Sequence, residues 1–171
     1  GTVNFDLENA MHEAINCLWQ KGHRRIVFFT NETQANEEHK TSARLHFFKE
    51  AMQMHGVYNL EPLIVFCSSD VLEVHLLKLL KQGVTALIVP NEHIGLAVEF
   101  YLRKNRIRIP EMLSLITWEY PAVSQVLFPP RSTISLDYHC AAKEAVSLLY
   151  EMMKKKRKRQ NDYGSCGLCR S

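Results

Sequence analysis

Thr85-Ala86-Leu87-Ile88-Val89-Pro90-Asn91-Glu92 is the stretch whose reading decides the fold. Residues 85–89 carry no charge and are mostly branched, so they read as a strand. Pro90 ends it, and Asn91 opens a helix that runs to about Asn105. Upstream, a helix over Val71–Gln82 is stopped by Gly83, with Ser68, Ser69 and Asp70 as cap candidates. Before it lies the strand Pro62–Cys67, then a helix over Thr41–His55 stopped by Gly56. A polar loop, Asn31–Lys40, separates that helix from Arg25-Ile26-Val27-Phe28-Phe29-Thr30, a short apolar run that reads as a buried strand. Met11, Ala14, Ile15 and Leu18 fall at i, i+3, i+4, i+7 and predict an amphipathic helix over 7–21, capped by Asp6 and ended by Gly22.

Downstream, Pro110 precludes continuation of the helix and Leu113–Trp118 is a further strand. The rhythm then breaks. Pro121, Pro129 and Pro130 mark an extended connection, Thr133-Ile134-Ser135 a short strand, and Asp137 or Tyr138 the start of a last helix. Its apolar positions are Ala145, Leu148, Leu149 and Met152, and a polar tail follows from Gln160 to Ser171. Strict alternation of strands and helices predicts an α/β fold, a parallel sheet flanked by helices on both faces. Ligands of such sheets bind beyond the carboxyl ends of the strands. Here those ends lie near Thr30, Cys67, Pro90 and Trp118.

The 171 residues suffice for one good-sized domain, and an apolar fraction of 46% with 23% charged residues is ordinary for a globular chain. No apolar run is long enough to span a membrane, and no signal peptide is visible at the N-terminus. The formal charge of +3 rests on one run, Lys154-Lys155-Lys156-Arg157-Lys158-Arg159. Set aside, that run leaves a balance of −3, which argues against a nucleic-acid surface spread over the body. The run itself reads as solvated cations at a helix end. Five cysteines, mostly in apolar segments, point to reduced thiols and a cytoplasmic setting. Cys166 and Cys169 form one CxxC, without the second pair of a zinc finger or the strand-to-helix setting of a redox motif. No HExxH, phosphate-binding glycine loop or nucleophile elbow is present. No catalytic residues, no metal and no cofactor are therefore expected.

Several segments resemble the lactose/galactose-repressor family of transcription regulators. Gly22-His23-Arg24-Arg25-Ile26 is similar to its Gly-His-basic-basic-Ile junction, and Arg44 with Phe48, Ala51 and Met52 to its Arg-x-x-Gly-Phe-x-x-Ala-Leu helix. The stretch 85–92 resembles its strand ending in Asn-Asp. Residues 109–116 resemble Val-Pro-Glu-Asp-Ile-Ser-Val-Ile, and 129–134 resemble Pro-Pro-Leu-Thr-Thr-Ile. Leu168-Cys169-Arg170-Ser171 is similar to the closing Leu-x-x-Arg-x-Ser. The motifs occur in the family's order over nearly the whole chain.

The resemblance implies a periplasmic-binding-protein-like, Rossmann-like three-layer lobe. Residues 1–21 would be a remnant of the N-terminal lobe and 22–120 the C-terminal effector-binding lobe. Residues 121–171 would be crossover, a helix of the N-terminal-lobe type and tail. It also implies a small effector, a sugar or related metabolite, in the cleft. It implies a homodimer through helices 71–82 and 92–104, and DNA contact only through a domain outside this chain. By the match, Arg44 reaches the ligand, Glu92 stands for the ligand-binding aspartate, and Asp6 enters from the other lobe. Trp118-Glu119 stands for a Phe-Asp pair. A guanidinium fork suits paired hydroxyls or a carboxylate, a carboxylate accepts hydroxyl or amine donors, and an indole stacks on a sugar face. Each also has an ordinary reading: Arg44 on a helix start, Glu92 and Asp6 as helix-start acids, Trp118 as core. The pattern departs at Phe47, where the family has glycine, and at Gly95. No aromatic lies over Cys67–Asp70, and Lys40 and Glu38 do not repeat the purine-binding branch. Two rival readings follow: a solute-binding protein of a transporter, or a dimerisation module that no longer binds ligand.

Overall fold

The computed structural model describes residues 2–30, 41–68, 70–118 and 132–164. The chain forms two compact units, one over Asp6–Leu136 and one of Gly1–Phe5 with Asp137–Ser171. In the first, α1 (Leu7–Gln20), β1 (Ile26–Thr30), α2 (Thr41–Met54), β2 (Ile64–Phe66), α3 (Leu72–Lys81), β3 (Ala86–Val89), α4 (Glu92–Lys104), β4 (Ser114–Trp118) and β5 (Ser132–Ile134) follow in order. A short 3-10 turn over Glu61–Leu63 precedes β2, so Pro62 opens a turn and the strand begins two residues later than its sequence suggests.

The strands form one parallel sheet in the order β2-β1-β3-β4-β5. Phe28 pairs with both Ile64 and Ile88, and Ile116 with Ser132. Every residue of β1 and β3 is buried, as strands covered on both faces must be. The order explains the covering. From β1 the chain steps one way to β2, then crosses back to β3 and onward to β4. Right-handed crossovers in opposite directions place α2 and α4 on opposite faces. The first helix packs on α2 and touches β5, while α3 packs on α4.

This arrangement gives α1 a partner inside the chain. Met11, Ala14, Ile15 and Leu18 are buried against that layer. The compact unit over Asp6–Leu136 takes in both α1 and β5, the latter paired with β4. The core centres on Phe28, Phe29, Phe48, Met52, Leu87 and Ile88, with the rings of Phe28 and Phe48 5.3 Å apart.

In the second unit, α5 runs over Tyr138–Gly164. It starts where Asp137 accepts the Cys140 amide at 2.8 Å. It passes through the basic run and well beyond Gln160, because lysine, arginine and glutamine are good helix formers and no breaker intervenes before Gly164. Val146, Leu149, Tyr150, Met152 and Met153 are exposed along it.

Candidate functional site

The sheet order reverses between β1 and β3, and in open α/β sheets ligands bind beyond the carboxyl ends of the strands at such a point. Thr30 ends β1 and is fully buried. Beyond β3, Pro90 is buried, and the Asn91 side chain caps α4 by accepting the amides of His93 at 2.9 Å and Ile94 at 3.4 Å. Arg44 reaches this point from the first turns of α2. Its Nη1 donates to the Pro90 carbonyl at 2.5 Å, and its guanidinium carbon lies 4.9 Å from the centroid of the Trp118 ring at the end of β4. A bond from a cation to a carbonyl and a cation over an indole face both hold the guanidinium in place.

Trp118 is 6% exposed, and its indole Nε1 has no hydrogen-bond partner among the described residues. A buried N–H left unpaired costs about 1–3 kcal/mol. The structure thus brings together two of the residues singled out in the sequence, Arg44 and Trp118, at the carbonyl of Pro90, one of the strand ends where the sequence expects a ligand. A proline that stops a strand leaves its carbonyl without the regular ladder.

Glu92 occupies the first turn of α4, half-buried, one residue past Asn91. It lies at the same end of the sheet, and no described contact joins it to Arg44. Asp6 is exposed and caps α1, accepting the Asn9 amide at 3.0 Å. No described contact links it to the Arg44–Trp118 pair. Glu119 lies outside the described residues. Cys67, at the end of β2, is buried. Burial first, and Asp70 second, push its thiol above the ordinary range, so it stays neutral and a poor metal ligand or nucleophile. Among the described residues no cluster of His, Cys, Asp and Glu could hold a metal, and no helix is long and apolar enough to cross a membrane.

The periplasmic binding protein-like domain profile matches residues 15–168. Among curated proteins, the chain is 23% identical over 167 residues to the HTH-type transcriptional regulator GanR of Bacillus subtilis, covering 92% of this chain and 50% of GanR. It is 25% identical over 157 residues to the HTH-type transcriptional repressor CytR of Escherichia coli, covering 89% of this chain and 45% of CytR. The chain thus spans about half the length of the curated relatives it matches. Among solved structures, the transcriptional repressor AscG of Escherichia coli superposes with a TM-score of 0.74 at 22% identity, covering 90% of this chain and 56% of AscG. A LacI family transcriptional regulator from Silicibacter pomeroyi gives 0.75 at 22%, covering 89% and 57%. The chain belongs to the periplasmic binding protein-like domain family, in the form carried by regulators of the lactose/galactose-repressor type.

Proposed function

We propose that this chain is the small-molecule effector-sensing and dimerisation region of a bacterial transcription regulator, and that it acts in the cytoplasm. The carrying observation is the guanidinium of Arg44, fixed at the reversal point of the sheet by the Pro90 carbonyl and the Trp118 ring. A planar donor fork beside an indole whose N–H has no partner among the described residues suits a polyhydroxylated or anionic metabolite, such as a sugar or sugar derivative. Glu92 would accept hydroxyl donors from the same end of the sheet. Asp6 is proposed to reach the ligand from the other lobe, and Glu119, which follows Trp118 in the chain, to contact it as well. DNA would be contacted by a separate domain. Linkage then requires that effector and DNA alter each other's affinity by the same factor.

The dimer reading has its own support. Val74 on α3 and Leu96 and Phe100 on α4 are exposed, Phe100 by 62%. These two helices are packed side by side, so the apolar residues lie on neighbouring elements.

A thermal-shift screen against sugars, sugar phosphates and purines tests the reading. At a hundred times its dissociation constant, a ligand adds about 2.7 kcal/mol, or roughly 5–10 °C for a chain this size. A shift that Arg44→Ala abolishes supports the site. A shift that survives both Arg44→Ala and Trp118→Leu refutes it, and no shift with any compound, either with this chain or with a longer one carrying the full N-terminal lobe, favours the dimerisation module.

A further inference from the structure

At the other end of the sheet, below the amino ends of β4 and β5, a cavity of about 780 Å³ opens between the last turns of α1 and α4. Its volume is that of a small-molecule site. Leu18, Ile107, Ile109, Leu115 and Ile116 give it an apolar interior. Its charged lining is uneven. Glu99 and Arg103 are bonded to each other, Arg103 Nε to Glu99 Oε1 at 2.9 Å. Lys21, Arg106 and Arg108 pair with no carboxylate among the described residues, and Glu111 is the one remaining acid.

These cations are not consumed in capping the helices. The last carbonyls of α4 already accept the backbone amides of Asn105, Arg106 and Ile107, and those of α1 the amides of Lys21, Gly22 and His23. Arg106 adds a second observation. It has φ +58°, the left-handed conformation in which glycine or asparagine usually ends a helix. A long cationic side chain is kept there against its backbone preference, at the mouth of the cavity.

We propose that this cavity is a second small-molecule site, separate from the Arg44–Trp118 crevice, and that it takes an organic anion with an apolar body. The hydrocarbon part would lie on Leu18, Ile107, Ile109 and Leu115. The anionic group would meet Arg106, Arg108 and Lys21, with charge-assisted bonds at the rim. The proposal does not depend on what the crevice at the opposite end binds.

The test titrates the full chain, labelled with nitrogen-15, with 8-anilinonaphthalene-1-sulfonate, and in parallel with the uncharged N-phenyl-1-naphthylamine. The expected amide shifts lie at Lys21, Arg106–Arg108, Ser114 and Leu115, and the sulfonate binds at least tenfold tighter than the neutral amine. Arg106→Gly with Arg108→Ser weakens the sulfonate at least tenfold while the melting temperature holds or rises, since glycine suits that φ. Glu111→Gln tightens it two- to threefold. Arg44→Ala leaves it unchanged. Shifts concentrated at 146–153 or at Val89–Glu92, equal binding of the two probes, or indifference to both the arginine and the Glu111 changes would each overturn the proposal.

Discussion

Replacing Arg44 and Trp118 singly and together isolates the contact that organises the proposed site. The guanidinium stands 4.9 Å from the ring centroid, inside the range of about 6 Å over which a cation feels the ring face. Trp118 is buried and Arg44 half-buried, so the contact falls between the exposed value of about 0.5–1 kcal/mol and the desolvated value of about 2 kcal/mol. We expect a coupling of about 1 kcal/mol. Arg44→Ala also loses its bond to the Pro90 carbonyl, worth about 1.5–3 kcal/mol for a charged donor. Trp118→Leu adds its own cavity. Those two costs appear in the single and the double variants alike and cancel in the cycle. The double variant should therefore be about 1 kcal/mol less destabilised than the sum of the singles. With a slope of about 2 kcal/mol per molar urea, that is about 0.5 M in the midpoint. Far-UV circular dichroism reads the transition, and Trp19 remains as a fluorescent reporter in every variant. Additivity within about 0.3 kcal/mol would refute the reasoning, since the two groups would then be neighbours without an energetic link.

Three further outcomes are expected. Burial first, and Lys21 second, hold the His23 imidazole below its ordinary range, and its Nδ1 lies 2.9 Å from Thr85 Oγ1. The unfolded chain takes up that proton near pH 6.5 and the folded chain resists it. His23 thus contributes stability that is complete above pH 6.5 and declines as pH falls through that value toward the lower folded one. Between pH 7.5 and 5.5 the melting temperature of the native chain should drop further than that of His23→Gln, and equal drops would contradict the assignment. Gly56 has φ +80° with open space where a Cβ would stand. Gly56→Ala should cost about 1–2 kcal/mol from backbone strain alone, seen as a loss of roughly 2–8 °C in a thermal melt. Asp6→Ala should cost about 1 kcal/mol through loss of the α1 cap, and Asp6→Asn much less, in the same melt.

The sheet was legible because its strands are short uncharged runs between capped amphipathic helices. Such runs as Ile26–Thr30 and Ala86–Val89 have one physical outcome, burial on both faces. Alternation pointed to the carboxyl ends of the strands in general; that the order reverses between β1 and β3 came only from the sheet itself. The layer that receives α1 was not legible. An apolar stripe at Met11, Ala14, Ile15 and Leu18 states that the helix is covered, and not by what; only the packing on α2 supplies that. At the site, Arg44 and Trp118 were visible as residue types that recognise ligands. Their mutual contact was not, because α2 and β4 are far apart in the chain and meet only through the sheet order. The same holds for Lys21, Arg106 and Arg108, which read singly as surface cations and acquire a common cavity only in three dimensions.

The place of β1 in the sheet also bears on how the chain is made. It is made before the other four strands of its sheet, yet one of its two edges waits for β3, which is complete only at Val89. Until then Ile26-Val27-Phe28-Phe29 is an uncharged, β-prone stretch with an open side, the kind of segment that seeds self-association. Arg24 and Arg25 stand exposed immediately before it. Two adjacent cations at the mouth of such a segment repel a second copy in register. That pair therefore guards the nascent chain during the interval before its own sheet can close.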